Sequence, residues 1–242
     1  MISITENDHK KNDKQKNKHV SRVNQYVTMS FIITYVLLLT TATITFIEAM
    51  RTQNNTMRHI FNLETTISIV AAYFYSLFVN KIENANKNNT PLDWSEITEL
   101  RYLDWSITTP MMLIVLSLAL GYNAKVKVNL LYIMEVLALN YFMLYIGYLG
   151  EINVISRLQG MIAGFIAFFT MSFLIFMKFI KFNYHLPNYI LFGLFFVVWT
   201  MYGIVYMFDK NNRNVINNIL DCISKCVVGI FLWIYYTGII KA

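Results

Sequence analysis

Charge is scarce in this chain of 242 residues. Asp, Glu, Lys and Arg together make up 14% of it, against about 25% in an ordinary soluble domain. Cysteine is scarcer still. The two present, Cys222 and Cys226, lie four apart in one apolar segment, which excludes a disulfide-stapled secreted module. Nine glycines and three prolines exclude a collagen-like fibre. What fills the chain is apolar: 56% hydrophobic and 16% aromatic, with a mean hydropathy of +0.45. That excludes a disordered protein and favours one polytopic membrane domain over soluble domains.

Residues 1–23 are the exception, polar and lysine-rich (HKKNDKQKNKHVSR). They have no apolar run, so they do not read as a cleavable signal peptide. A disordered or surface-lying basic tail is expected there. Seven apolar stretches follow, at about 26–48, 60–80, 100–121, 128–149, 155–180, 187–208 and 215–240. Each has roughly the 20 residues that cross about 30 Å of hydrocarbon as a helix. The runs do not alternate, and an odd number does not suit an even-stranded barrel. The predicted fold is therefore an all-α seven-transmembrane-helix bundle over 24–242. Its longest connector is expected at 81–99, polar and carrying Pro91, Asp93, Glu96 and Glu99.

The net charge of +6 and pI near 9.2 do not mark a nucleic-acid partner, because the basic residues sit in the tail and connectors rather than on one surface. In a membrane protein such charge bears on orientation. Eleven Lys and Arg fall on the N-terminal side and seven on the other. Without the tail the count reverses, five against seven, so charge alone leaves orientation open.

A few ionisable residues lie inside the spans, where each costs about 2.5–3.5 kcal/mol on insertion scales and is a functional candidate by default. The third span holds RYLDWSITTP. Arg101 and Asp104 share a helix face, Thr108 lies one turn beyond, and Pro110 can bend the helix. The seventh holds LDCISK, with Asp221 and Lys225 also on one face and Lys225 near mid-span. Two structural ion pairs would be the plain explanation. A lysine at mid-membrane is better explained by covalent chemistry, since an amine in an apolar pocket condenses with an aldehyde to a Schiff base. A protonated imine needs anions beside it. Asp104 and Asp221 are the well-placed carboxylates, and Arg101 can balance the second negative charge.

These motifs resemble the microbial (type 1) rhodopsins over about 24–242. Arg101-Tyr102-x-Asp104-Trp105-x-x-Thr108-Thr109-Pro110 is similar to that family's third helix, and Asp221-x-x-x-Lys225 to its seventh. The resemblance implies all-trans-retinal bound covalently to Lys225, with Asp104 and Asp221 as counterions. It also implies an integral membrane protein with an extracellular N-terminus, a homo-oligomer in the lipid bilayer, and a transporter or sensor rather than an enzyme. Trp105, Trp199, Tyr202 and Tyr206 resemble the aromatic walls of the retinal pocket. Met143 and Gly147 resemble the segment near the ionone ring, and Thr109 and Asn140 the hydrogen-bonded pair linking helices three and four. Gly203 stands where the family usually has proline.

Within the family, the site decides what light drives. Asp104 and Thr108 argue against chloride and sodium pumps. A conventional proton pump would carry a donor carboxylate where this chain has Val115. It would also carry a pair of extracellular glutamates, where the loop before the seventh span offers only Asp209. Polar stripes instead run along three helices: Asn214, Asn218, Asp221 and Lys225 in the seventh; Glu64, Ser68, Ala71 and Tyr75 in the second; Ser30, Thr34, Thr41, Thr45 and Glu48 in the first. Such groups face a bundle interior or a water-filled cavity, or serve interhelical hydrogen bonds. The expectation is an ion path between helices one, two, three and seven, gated by Glu64 with Ser30, Asn214 and Asn218. The composition, the early Glu64 and the asparagines before Asp221 resemble rhodopsins of giant algal viruses, one branch of which are light-gated cation channels. A light-gated cation channel is thus the first reading. A weak outward proton pump with Glu64 as donor is the second, and a photosensor the third.

Overall fold

The computed structural model describes the backbone of residues 3–88, 90–182 and 184–238, and their side chains from residue 25 onward except residue 211. Six long helices come first: α1 (Ser3–Arg51), α2 (Asn55–Lys87), α3 (Trp94–Ala124), α4 (Leu130–Glu151), α5 (Arg157–Phe179) and α6 (Leu186–Val205). The seventh span is composite. It consists of α7 (Lys210–Asp221), a π-helical turn at Cys222–Val227 and α8 (Val228–Thr237), which run on without a break. Seven segments are long and apolar enough to cross a membrane, and no strand occurs among the described residues.

Local chemistry sets the helix ends. Asn54 caps α2, its side chain accepting from Thr56 and Met57 N–H. Asp93 caps α3 in the same way. Ser156 and Gln159 form a reciprocal capping box at the start of α5. Pro187 sits in the first turn of α6, where its missing N–H costs nothing. Each cap satisfies amide groups that the first helical turn leaves free.

Two expectations need correction. The connector of 81–99 is mostly helix: α2 continues to Lys87 and α3 starts at Trp94. Nothing in 81–90 is a helix breaker, and a Lys81–Glu96 ion pair ties the two extensions together. The tail was expected to be disordered or surface-lying; it is not disordered, because α1 begins at Ser3 and enters the first span unbroken. No glycine precedes Gly121 and no proline precedes Pro91, and Lys, Gln and Glu are good helix formers. The tail's side chains lie outside the described residues.

The bundle packs sequential neighbours: α1 on α2, α2 on α3, α4 on α5, with the composite seventh span closing against α1 and α6. One apolar core joins α3–α6 and the seventh span through Leu113, Leu120, Val136, Phe168, Ile175 and Trp199. A second joins α1 and α2 through Phe31, Leu38, Tyr75 and Phe78. The outer faces stay apolar, with Ile33, Val36, Phe142, Phe173 and Val197 exposed, as lipid requires.

Candidate functional site

Four charges are buried together at the middle of the bundle. Arg101, Asp104, Asp221 and Lys225 are all no more than 3% exposed. Lys225 Nζ donates to Asp104 Oδ2 at 2.8 Å and lies 3.7 Å from Asp221 Oδ1. Arg101 Nη1 donates to Asp221 Oδ2 at 3.1 Å. The set is formally neutral. That is how four groups, each expensive alone in a membrane, can share one site. Sequence reasoning brought these four together, but the pairing crosses: Arg101 serves the acid of the seventh span, not Asp104 on its own helix face.

Helix geometry holds the pair. Lys225 sits within the π-helical turn Cys222–Val227. Such a turn inserts an extra residue into the helix and shifts the side chains that follow; these bulges recur at functional sites. No sequence signal announced it. Asp221, just before it, accepts four further hydrogen bonds or ion contacts. Tyr202 OH donates to Oδ1 at 2.6 Å and Tyr75 OH to Oδ2 at 2.7 Å. Trp105 Nε1 is at 3.4 Å and Arg101 at 3.1 Å. Asp104 has fewer partners: its Oδ1 is buried without one. Two carboxylates of the same type are thus unequal. Asp221 is saturated, and Asp104 keeps a free oxygen. Thr108 does not join them. Its hydroxyl donates to the Asp104 backbone carbonyl at 2.9 Å.

A cavity of about 130 Å³ opens beside Lys225. Trp105, Thr109, Met143, Gly147, Trp199, Tyr202 and Tyr206 all line it, as do Phe165, Phe168 and Gly203. Asn140 Nδ2 donates to Thr109 Oγ1 at 2.9 Å, joining α4 to α3. Gly203 leaves a notch that Phe165 fills: a Cβ there would meet the Phe165 ring at 2.5 Å. Gly147 makes room for the Tyr102 hydroxyl, 3.0 Å from where its Cβ would stand. The result is a largely apolar slot, walled by Tyr102, Trp105, Phe165, Phe168, Trp199, Tyr202 and Tyr206, with an amine in its wall.

The polar stripes of α1, α2 and α7 meet as expected, but they are packed rather than open. Arg101 Nη2 donates to Asn218 Oδ1 at 2.8 Å and to Asn214 Oδ1 at 3.2 Å. Asn218 Nδ2 donates to Ser30 Oγ at 2.9 Å, and Tyr75 OH also reaches Asn218. The rings of Phe31, Tyr75 and Phe78 crowd the Arg101 guanidinium, with centroids 5.2–5.9 Å from it. This seam is shut by direct hydrogen bonds and aromatic side chains. The continuous cavity lies on its other side, among α3–α7.

Glu64 is buried at 3% exposure. It lines a separate cavity of about 30 Å³ with Val115, Trp199 and Ser224, large enough for one or two waters. Ser224 borders both cavities, so Glu64 is separated from Lys225 by a short polar step. Beyond Glu64, Thr65 and Thr45 hydroxyls meet at 2.9 Å, and Glu48 Oε2 accepts from Trp233 Nε1 at 3.4 Å.

One carboxylate escaped the sequence reading. Glu151, at the end of α4, lines the large cavity together with Arg213 and Asp221. Arg213 Nη1 stands 2.5 Å from Glu151 Oε1, and Arg157 Nη2 3.8 Å. A single acid at a helix end carries no signal by itself; only the fold brings Arg213 to it. The two cysteines are free. Cys222 Sγ donates to Thr34 Oγ1 at 3.3 Å, and Cys226 is buried. Among the described residues no cluster could hold a metal ion.

Chemically, this is an amine-bearing apolar slot with an adjacent acceptor and a fixed second anion. A family model described as bacteriorhodopsin-like protein matches residues 25–239. Among solved structures, viral rhodopsin OLPVRII is 44% identical with a TM-score of 0.81, covering 88% of this chain and 98% of its own. Blue light-absorbing proteorhodopsin from Med12 is 20% identical (TM-score 0.68, 90% of this chain, 99% of its own). The proton pumping rhodopsin AR2 from the marine alga Acetabularia acetabulum is 18% identical (TM-score 0.70, 90% and 97%). At those lower identities the likeness shows the seven-helix fold alone. No curated protein matches the chain.

Proposed function

This chain belongs to the bacteriorhodopsin-like family, and from that premise we propose that it binds all-trans-retinal at Lys225 and acts as a light-gated cation channel. The slot fits the group: Lys225 would supply the amine, and Trp105, Trp199, Tyr202, Met143, Gly147 and Phe165, which line the same cavity, would hold the polyene and its ring. Retinal held there supplies absorption of visible light and a change of shape on excitation.

The observation that carries this reading is the 2.8 Å contact from Lys225 Nζ to Asp104 Oδ2. Asp104 is within hydrogen-bond reach of a proton on that nitrogen and has a spare oxygen, which suits it to accept. Asp221 is already saturated by Tyr75, Tyr202 and Arg101. It remains anionic and holds the seventh span in register. Once Asp104 takes that proton from the Lys225 nitrogen, the set as a whole stays neutral, but two of its four charges are gone, and Arg101 is the one cation left to shift against Asp221. Its hold on Asn214 and Asn218 is also the latch of the closed seam. Release of that latch would join the wide cavity to the seam, with Glu64 as the gate beyond Ser224.

An outward proton pump is the second reading. A specific feature favours it: Glu64 and Val115 share one cavity that reaches Ser224 beside Lys225, so Glu64 could return the proton that a carboxylate at Val115 would otherwise supply. Photocurrent against membrane voltage separates the two. The channel reading predicts a current that reverses near the cation equilibrium potential. A current of one sign at all voltages would sink it in favour of the pump. The extracellular N-terminus and a homo-oligomeric state belong to the same proposal.

A further inference from the structure

We infer that Glu151 sets the charge selectivity of the mouth through which ions reach Asp221; this rests on the channel reading. Glu151 closes α4 and its side chain is 10% exposed. It lines the same cavity as Asp221, with Asn214 and Asn217 between them along the seventh span. The Asn217 Oδ1 acceptor there is buried without a partner. One free oxygen acceptor, Asn217 Oδ1, therefore lies inward of Glu151 on that wall, while Asn214 Oδ1 is held by Arg101.

The two arginines at this mouth play different parts. Arg213 is 6% exposed and 2.5 Å from Glu151 Oε1, a fixed counter-charge. Arg157 is 32% exposed and 3.8 Å away, a looser contact. Its guanidinium is also held by the Tyr206 backbone carbonyl and lies 5.0 Å from the Tyr206 ring centroid, so it keeps contacts that do not depend on Glu151. The mouth thus carries one negative and two positive charges. A cation can take the place of Arg157 beside Glu151 while Arg213 stays. Without the carboxylate, the same mouth would present two uncompensated positive charges and turn cations away.

The test uses the full chain with retinal in voltage-clamped cells, with reversal potentials read in high and then low external sodium chloride. The parent should give a shift toward negative voltage on dilution, the sign of cation selectivity. Glu151→Gln should lower the sodium-over-chloride permeability ratio about tenfold, the order expected of one unit charge in a partly screened mouth. Arg157→Gln should raise that ratio. If both variants keep the parent's dilution shift, the inference is overturned and the channel reading stands. If the parent's current never reverses, both fall together. Should Glu151→Gln fail to form pigment, Arg157→Gln decides alone: a raised ratio supports the inference and an unchanged one overturns it.

Discussion

At the scale of single residues, the site works through inequality between two aspartates. Asp221 is ringed by donors, whereas Asp104 has Lys225 and a free oxygen. Asp104→Asn should therefore move the visible absorption to longer wavelength, because the positive charge on the chromophore loses its nearer anion. An unchanged spectrum would mean that Asp221 alone is the counterion. Arg101→Gln leaves Asp221 buried beside fewer positive charges. Breaking a buried ion pair costs about 3–5 kcal/mol, so the visible band of this variant should bleach markedly faster on heating. The central charges were legible in the sequence because an ionisable group in an apolar run has few innocent explanations. Glu151 was not: an acid at a helix end is ordinary, and its partner Arg213 is 62 residues away. Thr108 lies one turn beyond Asp104, as its spacing requires, and its hydroxyl bonds the carbonyl one turn back, as a mid-helix threonine readily does.

At the scale of elements, close helix approaches decide what can move. Gly229 lets the seventh span press against α1 and α2: a Cβ there would meet Thr41 Cγ2 at 2.9 Å and Glu64 Oε2 at 3.1 Å. Gly229→Ala should displace Glu64 and change the closing rate of the photocurrent; a variant with the parent's kinetics would remove Glu64 from the gate. Gly203→Ala meets the Phe165 ring at 2.5 Å and should destabilise the pigment by about 1–3 kcal/mol through overpacking. Gly193 has nothing within 4 Å of its Cβ position, so Gly193→Ala serves as a matched control with no loss. Thermal bleaching of the visible band measures the Gly203 and Gly193 variants. Span number was readable from the sequence because hydrocarbon thickness dictates run length. Two local details were not. The π-helical turn at Lys225 has no local sequence signal, and the helical extensions of α2 and α3 rest on caps and an ion pair outside the apolar runs.

At the scale of the whole molecule, polarity is divided between a shut seam and an open cavity, with Arg101 and Asn214 belonging to both. The sequence identified the seam's residues because they fall at helical spacing. It could not tell a lined passage from a set of interlocked side chains, since both need the same pattern. Orientation is the other property that composition leaves open, with basic residues balanced once the tail is set aside. An epitope placed ahead of residue 1 should be accessible to antibody on intact cells. Labelling only after permeabilisation would reverse the proposed orientation. All of these readings depend on one bond, between Lys225 Nζ and retinal. The direct measurement is the visible spectrum of the purified full chain reconstituted with all-trans-retinal, parent beside Lys225→Ala. The expected result is a visible band in the parent that survives washing and is absent from Lys225→Ala; an equally strong, wash-resistant band in Lys225→Ala would contradict the assignment.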